Sequence, residues 1–253
     1  MAKHTDRYEN QNIIDLAKKD YESKQQHTVP AEIVSLTSRG KVYPKNHPLR
    51  SGKIEMRYMT AYDEDILTNA SYLREGIVLN KLIEALIVSD INYDDLAMVD
   101  KDGLILNARL LSYGAEYAVT VNDPKTGTSL DRVVDLSKLK TKTLDINSND
   151  NGEFTYESKK HNIKFIFPTT TTADSTETTS EYLKSIIVEA NGSRKDEDID
   201  NFLRYEFLAK DSKEFQKFVM ENTPTVLLEC EFEGEDGSTF EAGFPIGPNF
   251  FWL

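Results

Sequence analysis

The spacing of apolar residues changes period along this chain, and those changes constrain its fold more than any other feature. Leu79, Leu82, Ile83, Leu86 and Ile87 recur at helical intervals, the stripe of a helix that buries one face. Tyr117, Val119 and Val121 then alternate, as in a half-buried strand. Helical spacing returns at Tyr182, Leu183, Ile186, Ile187 and Ala190. It gives way again to alternation at Val226, Leu228, Cys230 and Phe232, and at Phe240, Ala242 and Phe244. The order predicts an α+β fold in which small helical units alternate with β-hairpins, on a plan that looks duplicated.

Punctuation between these segments sharpens the elements. Thr60-Ala-Tyr-Asp63 has the form of a capping box, and Asp63, Glu64 and Asp65 put negative charge where a helix dipole favours it. Asp100 or Asp102 is placed to cap a helix that carries Leu104, Ile105, Ala108 and Leu111 and stops at Gly114. Asn122-Asp-Pro-Lys-Thr-Gly127 reads as the turn of a first hairpin, returning through Val133 to Leu136. Glu157 to Asn162 turns a second, between Phe154-Thr-Tyr156 and Ile163 to Phe167, and Gly234-Glu-Asp-Gly237 turns a third. Short helices are expected from about Asp196 and from Asp211, the latter block ending at Pro224.

Residues 1 to about 28 show only a weak apolar face, at Ile13, Ile14, Leu16 and Ala17, and read as an extended arm. The Gly- and Pro-punctuated run from Glu32 to Gly52 reads as a tether into the core. The expected division is 1–50, arm and tether; 51–173, helical unit plus hairpins; 174–253, helical unit, last hairpin and aromatic tail.

Function classes fall away by composition. With 43 acidic against 30 basic residues the net charge is −13, spread along the chain. Such a field repels phosphate backbones, so a nucleic-acid partner is not expected and a basic protein partner suits it better. The polar start has no apolar leader, and no run approaches the roughly 18 apolar residues of a membrane span, so a cytosolic protein without a membrane partner is expected. Cys230 is the only cysteine, which leaves no intrachain disulfide or thiolate cluster, and its place on an alternating strand suits a packed thiol. His4, His27, His47 and His161 are isolated from one another, and no metal site is expected. Phosphate-cradling glycine motifs and nucleophile motifs are missing, so neither catalytic residues nor a cofactor are assigned. Scattered carboxylates such as Asp94-Asp95, or Asp196, Asp198 and Asp200, leave a hydrolase as a remote alternative. The terminal Phe250-Phe251-Trp252-Leu253 is the candidate partner-binding cluster, unless it folds back onto its own sheet.

Several segments together resemble the baseplate hub proteins, subunits or assembly factors, of contractile-tailed phages of the T-even type. The resemblance is carried by Val42-Tyr-Pro-Lys45, Gly52 to Thr60, Glu64 to Asn69, Leu79 to Val88, Asp95-Leu96, Val99 to Tyr117 and Phe244-Pro-Ile-Gly-Pro-Asn-Phe-Phe-Trp252. It implies a non-enzymatic role in tail baseplate assembly, with other phage baseplate or hub proteins as partners, in the virion or the infected host's cytoplasm. The alternative is a transient chaperone missing from the finished particle. Relatives in that family carry Cys-x-x-Cys-like knuckles in two hairpin regions. Here the first reads Asn122 to Gly127 and the second keeps only Cys230, so turn chemistry at Pro124, Gly127 and Asp236-Gly237 is expected to close both without zinc.

Overall fold

The period changes are realised as segregated elements in the computed structural model, which describes residues 29–174 and 177–252. The expected arm, with His4 and His27, lies outside the described residues, as does Leu253. From Ala31 onward the chain is one compact unit. Its sheets are small and antiparallel, as the α+β reading predicts.

Strand β1 (Ala31–Ser35) pairs with β2 (Lys53–Arg57), Val34 opposite Ile54. The residues between them are core and not a tether, since Leu36, Tyr43 and Leu49 are all buried. The backbone turns repeatedly in this stretch, through Arg39 and Gly40, both at positive φ, and a 3₁₀ turn, Pro48–Ser51, stopped by Gly52 at φ 73°. Gly40 and Gly52 lie back to back here. A Cβ on the first would sit 2.4 Å from the Arg50 carbonyl oxygen, so only glycine fits.

Helices α1 (Ala61–Leu67), α2 (Ala70–Glu75) and α3 (Val78–Leu86) follow. Thr60 gives α1 its capping carboxylate contact, donating from both N–H and hydroxyl to Asp63. Leu82, Ile83 and Leu86 of α3 are buried, and α3 packs against α4 (Met98–Tyr113), the central helix of the unit, which is buried on several sides. Strands β3 (Glu116–Asn122) and β4 (Ser129–Asp135) form the first hairpin in full register. A two-residue strand β5 (Thr141–Lys142) pairs much later with β9 (Thr225–Val226).

The second hairpin, β6 (Phe154–Glu157) with β7 (Asn162–Phe165), gains a third strand that the helical spacing hid. After α5 (Thr170–Asp174), helix α6 (Thr179–Ile186) stops at Ile186, and β8 (Ile187–Ala190) pairs Ala190 with Ile163. A helix through Ala190 is thus corrected. The β-branched run Ile186-Ile187-Val188 suits a strand, and Asn191 and Gly192, both at positive φ, turn the chain afterwards. The chain continues through α7 (Asp196–Asn201), a π-helical turn Phe202–Glu206, α8 (Ala209–Asn222) and the final hairpin β10 (Glu229–Glu233) and β11 (Thr239–Gly243). With β8 inserted, the two halves are not copies.

The tips of the first and last hairpins meet. Asp123 is buried and accepts from the Lys125 and Thr126 amides, which holds its carboxyl below the usual range. Gly234 lies so close that a Cβ there would be 2.8 Å from Asp123 Oδ2. Lys125 reaches Asp236 at 3.3 Å, and Arg132 donates to the Glu233 carbonyl at 2.7 Å. The two turns that the resemblance marks as knuckle regions are therefore clasped tip to tip by polar side chains.

On the three-stranded sheet, Arg194 makes a two-pronged contact with Glu153 (2.7 and 2.8 Å) and reaches Glu189, which also pairs with Lys164. Arg194 is the largest cause of a Glu153 carboxyl held down to about 2 from 4.5. A carboxyl with a depressed folded value stabilises the fold above its ordinary pKa, and that contribution fades as pH falls from about 4.5 toward about 2. Glu153→Gln is expected to cost about 1–2 kcal/mol at neutral pH, after allowance for the half-exposed Arg194, and almost nothing near pH 2. Denaturant unfolding of both proteins across that range measures this, and an equal cost at both ends would disprove the pairing.

Candidate docking surface

Helix α4 organises both places where the surface is unusual. At its start Ala97, not Asp100 or Asp102, occupies the N-cap position. Asp100 is a buried acceptor. It takes hydrogen bonds from the Ser38 N–H (2.7 Å), the Ser38 hydroxyl (2.8 Å) and the Tyr43 hydroxyl (2.7 Å), and Tyr43 in turn accepts from the Ala97 N–H. Burial pushes the Asp100 carboxyl up, while these donors and the helix N-terminus favour its charge. Gly103, one turn on, leaves room for Thr37: a Cβ there would lie 2.2 Å from the Thr37 hydroxyl. The loop is thereby pinned to the helix with Arg39 at φ 53°, a conformation few side chains adopt.

Next to that loop runs a groove of about 760 Å³. Residues Glu32 to Ser35 of β1 line it, and its floor comes from Leu106, Leu110 and Leu111 of α4 with Leu136, Leu139 and Val226. Arg39 and Lys53 stand at its rim. No stretch of sequence signals this groove, because its walls come from five separate regions.

At the other end of α4, Arg109 is wholly buried and donates to three carbonyls, those of Gly114, Glu116 and Phe250, each at 3.2 Å. Its guanidinium lies 5.0 Å from the Tyr113 ring centre, and burial lowers its pKa. The chain end is thus latched to the central helix. Phe250 packs edge-on against Tyr117 at 4.9 Å, and Phe250 and Phe251 are each 1% exposed. Of the expected partner-binding cluster these two belong to the core, because the tail folds back onto its own chain. Trp252 keeps 39% of its surface exposed, and Leu253 lies outside the described residues. A lone arginine within the apolar run of α4 was the one sequence sign of this latch.

Other reactive groups are distributed without convergence. Cys230 is half-buried in β10, with its thiol pKa raised by burial. His161 lies edge-on to Phe202 and Phe207, its Nε2 3.6 Å from Asp211. Among the described residues no group of three or more His, Cys, Asp or Glu is arranged to hold a metal ion, and no helix is long and apolar enough to cross a membrane.

Compared with known proteins, residues 39–244 match the family model described as T4 bacteriophage base plate protein. No curated protein and no solved structure matches the chain. The matched span holds Asp100, Arg109 and both clasped hairpin tips, whereas β1 and the aromatic tail lie outside it.

Proposed function

The chain belongs to the T4 bacteriophage base plate protein family, and from that membership we propose that it is a resident subunit of the baseplate hub, acting by protein contact and without catalysis. The family match along most of the chain carries this reading. Its other supports are the acidic composition, suited to a basic partner, and a groove beside a strand edge that no other described strand pairs. The proposed partners are other baseplate or hub proteins, and the proposed location is the virion tail. Within that role Trp252 and Leu253 are the proposed tail contacts, while Phe250 and Phe251 hold the tail in place.

Quantitative mass spectrometry of purified particles tests the assignment. A hub subunit is expected at a fixed ratio to other baseplate proteins, and its absence from particles would make the chain a transient assembly chaperone. Trp252→Ala leaves the buried pair untouched and is expected to cut incorporation severalfold. Unchanged incorporation would remove the tail from the interface.

A further inference from the structure

Among the described residues nothing pairs with the outer edge of β1, and the strand beside it fixes which peptide groups point outward. In an antiparallel pair, directly opposed residues either exchange hydrogen bonds or both turn their peptide groups away. Leu36 donates its N–H to the Gly52 carbonyl, so Val34 and Glu32 also face β2. Glu55, opposite Ile33, faces away: it donates its N–H to the Ser89 hydroxyl and accepts from the Val88 N–H. The outer edge of β2 is therefore covered, while the Ile33 and Ser35 peptide groups point outward. Neither residue has a hydrogen-bond partner on that side among the described residues.

Natural sheets rarely leave such an edge bare, and this one borders the groove, whose lining mixes leucines with polar side chains. The charges at the groove are also unbalanced. Glu32 is engaged by the Tyr58 hydroxyl, but neither Arg39 nor Lys53 has an acidic partner among the described residues. Two cations with no acidic partner among the described residues stand out in a chain of net charge −13. Arg39 is moreover held in a strained conformation by the Asp100-bound loop, an arrangement that preorganises its position.

We infer that β1 accepts an extended segment of a partner protein as an added antiparallel or parallel strand, with apolar side chains alternating into the groove and an acidic residue meeting Arg39. Peptide hydrogen bonds at Ile33 and Ser35 supply affinity, and the floor leucines and Arg39 supply selectivity. This inference deepens the contact-protein reading but is tested on the isolated full-length chain, so its failure leaves the hub assignment to the particle experiment.

The probes are short synthetic peptides of alternating valine and aspartate, or of valine and lysine, followed by fluorescence anisotropy. The aspartate peptide is expected to bind at least about tenfold more tightly than the lysine peptide. Ile33→Pro removes an outward N–H without touching the bonds to β2 and is expected to abolish binding. Arg39→Glu is expected to reverse the preference, and unchanged thermal unfolding of both variants shows that the fold persists. No binding of the aspartate peptide, equal binding of both peptides, or binding that survives Ile33→Pro would overturn the inference. So would self-association of the free chain that Ile33→Pro abolishes, which would make a second copy the occupant.

Discussion

Replacing Arg109 with alanine is expected to destabilise the protein by about 4 kcal/mol, most of it from the cavity left by the wholly buried side chain and the rest from the buried Phe250 carbonyl left without its donor. Among the described residues Arg109 has no carboxylate hydrogen-bond partner. Its charge is met by three carbonyls, one of them from Gly114 at the C-terminal end of α4, where the helix dipole favours a cation. Removing it deprives the carbonyls of Glu116 and Phe250 as well. Arg109→Met keeps most of the volume and none of the hydrogen bonds, so it should cost about half as much. Trp252, the single tryptophan, sits two residues from the latched carbonyl. Its fluorescence should therefore report tail release at a lower denaturant concentration than far-ultraviolet circular dichroism reports global unfolding. A loss below about 1 kcal/mol in Arg109→Ala, the range of ordinary surface substitutions, would mean that the tail is held by Phe250 and Phe251 alone.

The parts of the fold legible in sequence are those set by local periodicity. The stripe from Leu79 to Ile87 gives α3, and the alternations around Asn122–Gly127 and Gly234–Gly237 give their hairpins with the turns in place. Ambiguity entered where one run satisfies two periods. Ile186 and Ile187 continue a helical stripe as well as they begin a strand, and pairing with Ile163 and Phe165, more than twenty positions earlier, decides for the strand. The stretch from Leu36 to Gly52 reads as a tether because its glycines and prolines demand turns, but Asp100, 62 residues beyond Ser38, fixes those turns inside the core. The aromatic tail posed the same choice between core and contact. Arg109, 141 positions before Phe250, settles it for the two phenylalanines. The groove escaped altogether, since local patterning cannot say that β1, α4, Leu136 and Val226 surround one space.

Asp100→Ala is the second substitution expected to have a large effect, about 3–4 kcal/mol, because it leaves the Ser38 N–H and the hydroxyls of Ser38 and Tyr43 buried without their acceptor. The cost should be shared unevenly among the partners. Tyr43→Phe removes one donor together with its need for an acceptor, and it also leaves the Ala97 N–H unpaired, so about 1–2 kcal/mol is expected. Combining Tyr43→Phe with Asp100→Ala should cost less than the sum, since both act through one network. Additive losses in chemical unfolding would show that the two residues work independently. The network's purpose can be separated from its stability by hydrogen exchange. The Lys41 and Tyr43 amides close the pinned turn by donating to Ser38 and Gly40. In Asp100→Ala they should lose protection well before the α4 amides do. Arg39 would then relax from its positive φ, and the cation at the groove rim would lose its fixed position although nothing in the groove itself had changed. A variant that still folds but no longer prefers an acidic strand would therefore show that the carboxylate buried at the start of α4 holds the recognition charge in place.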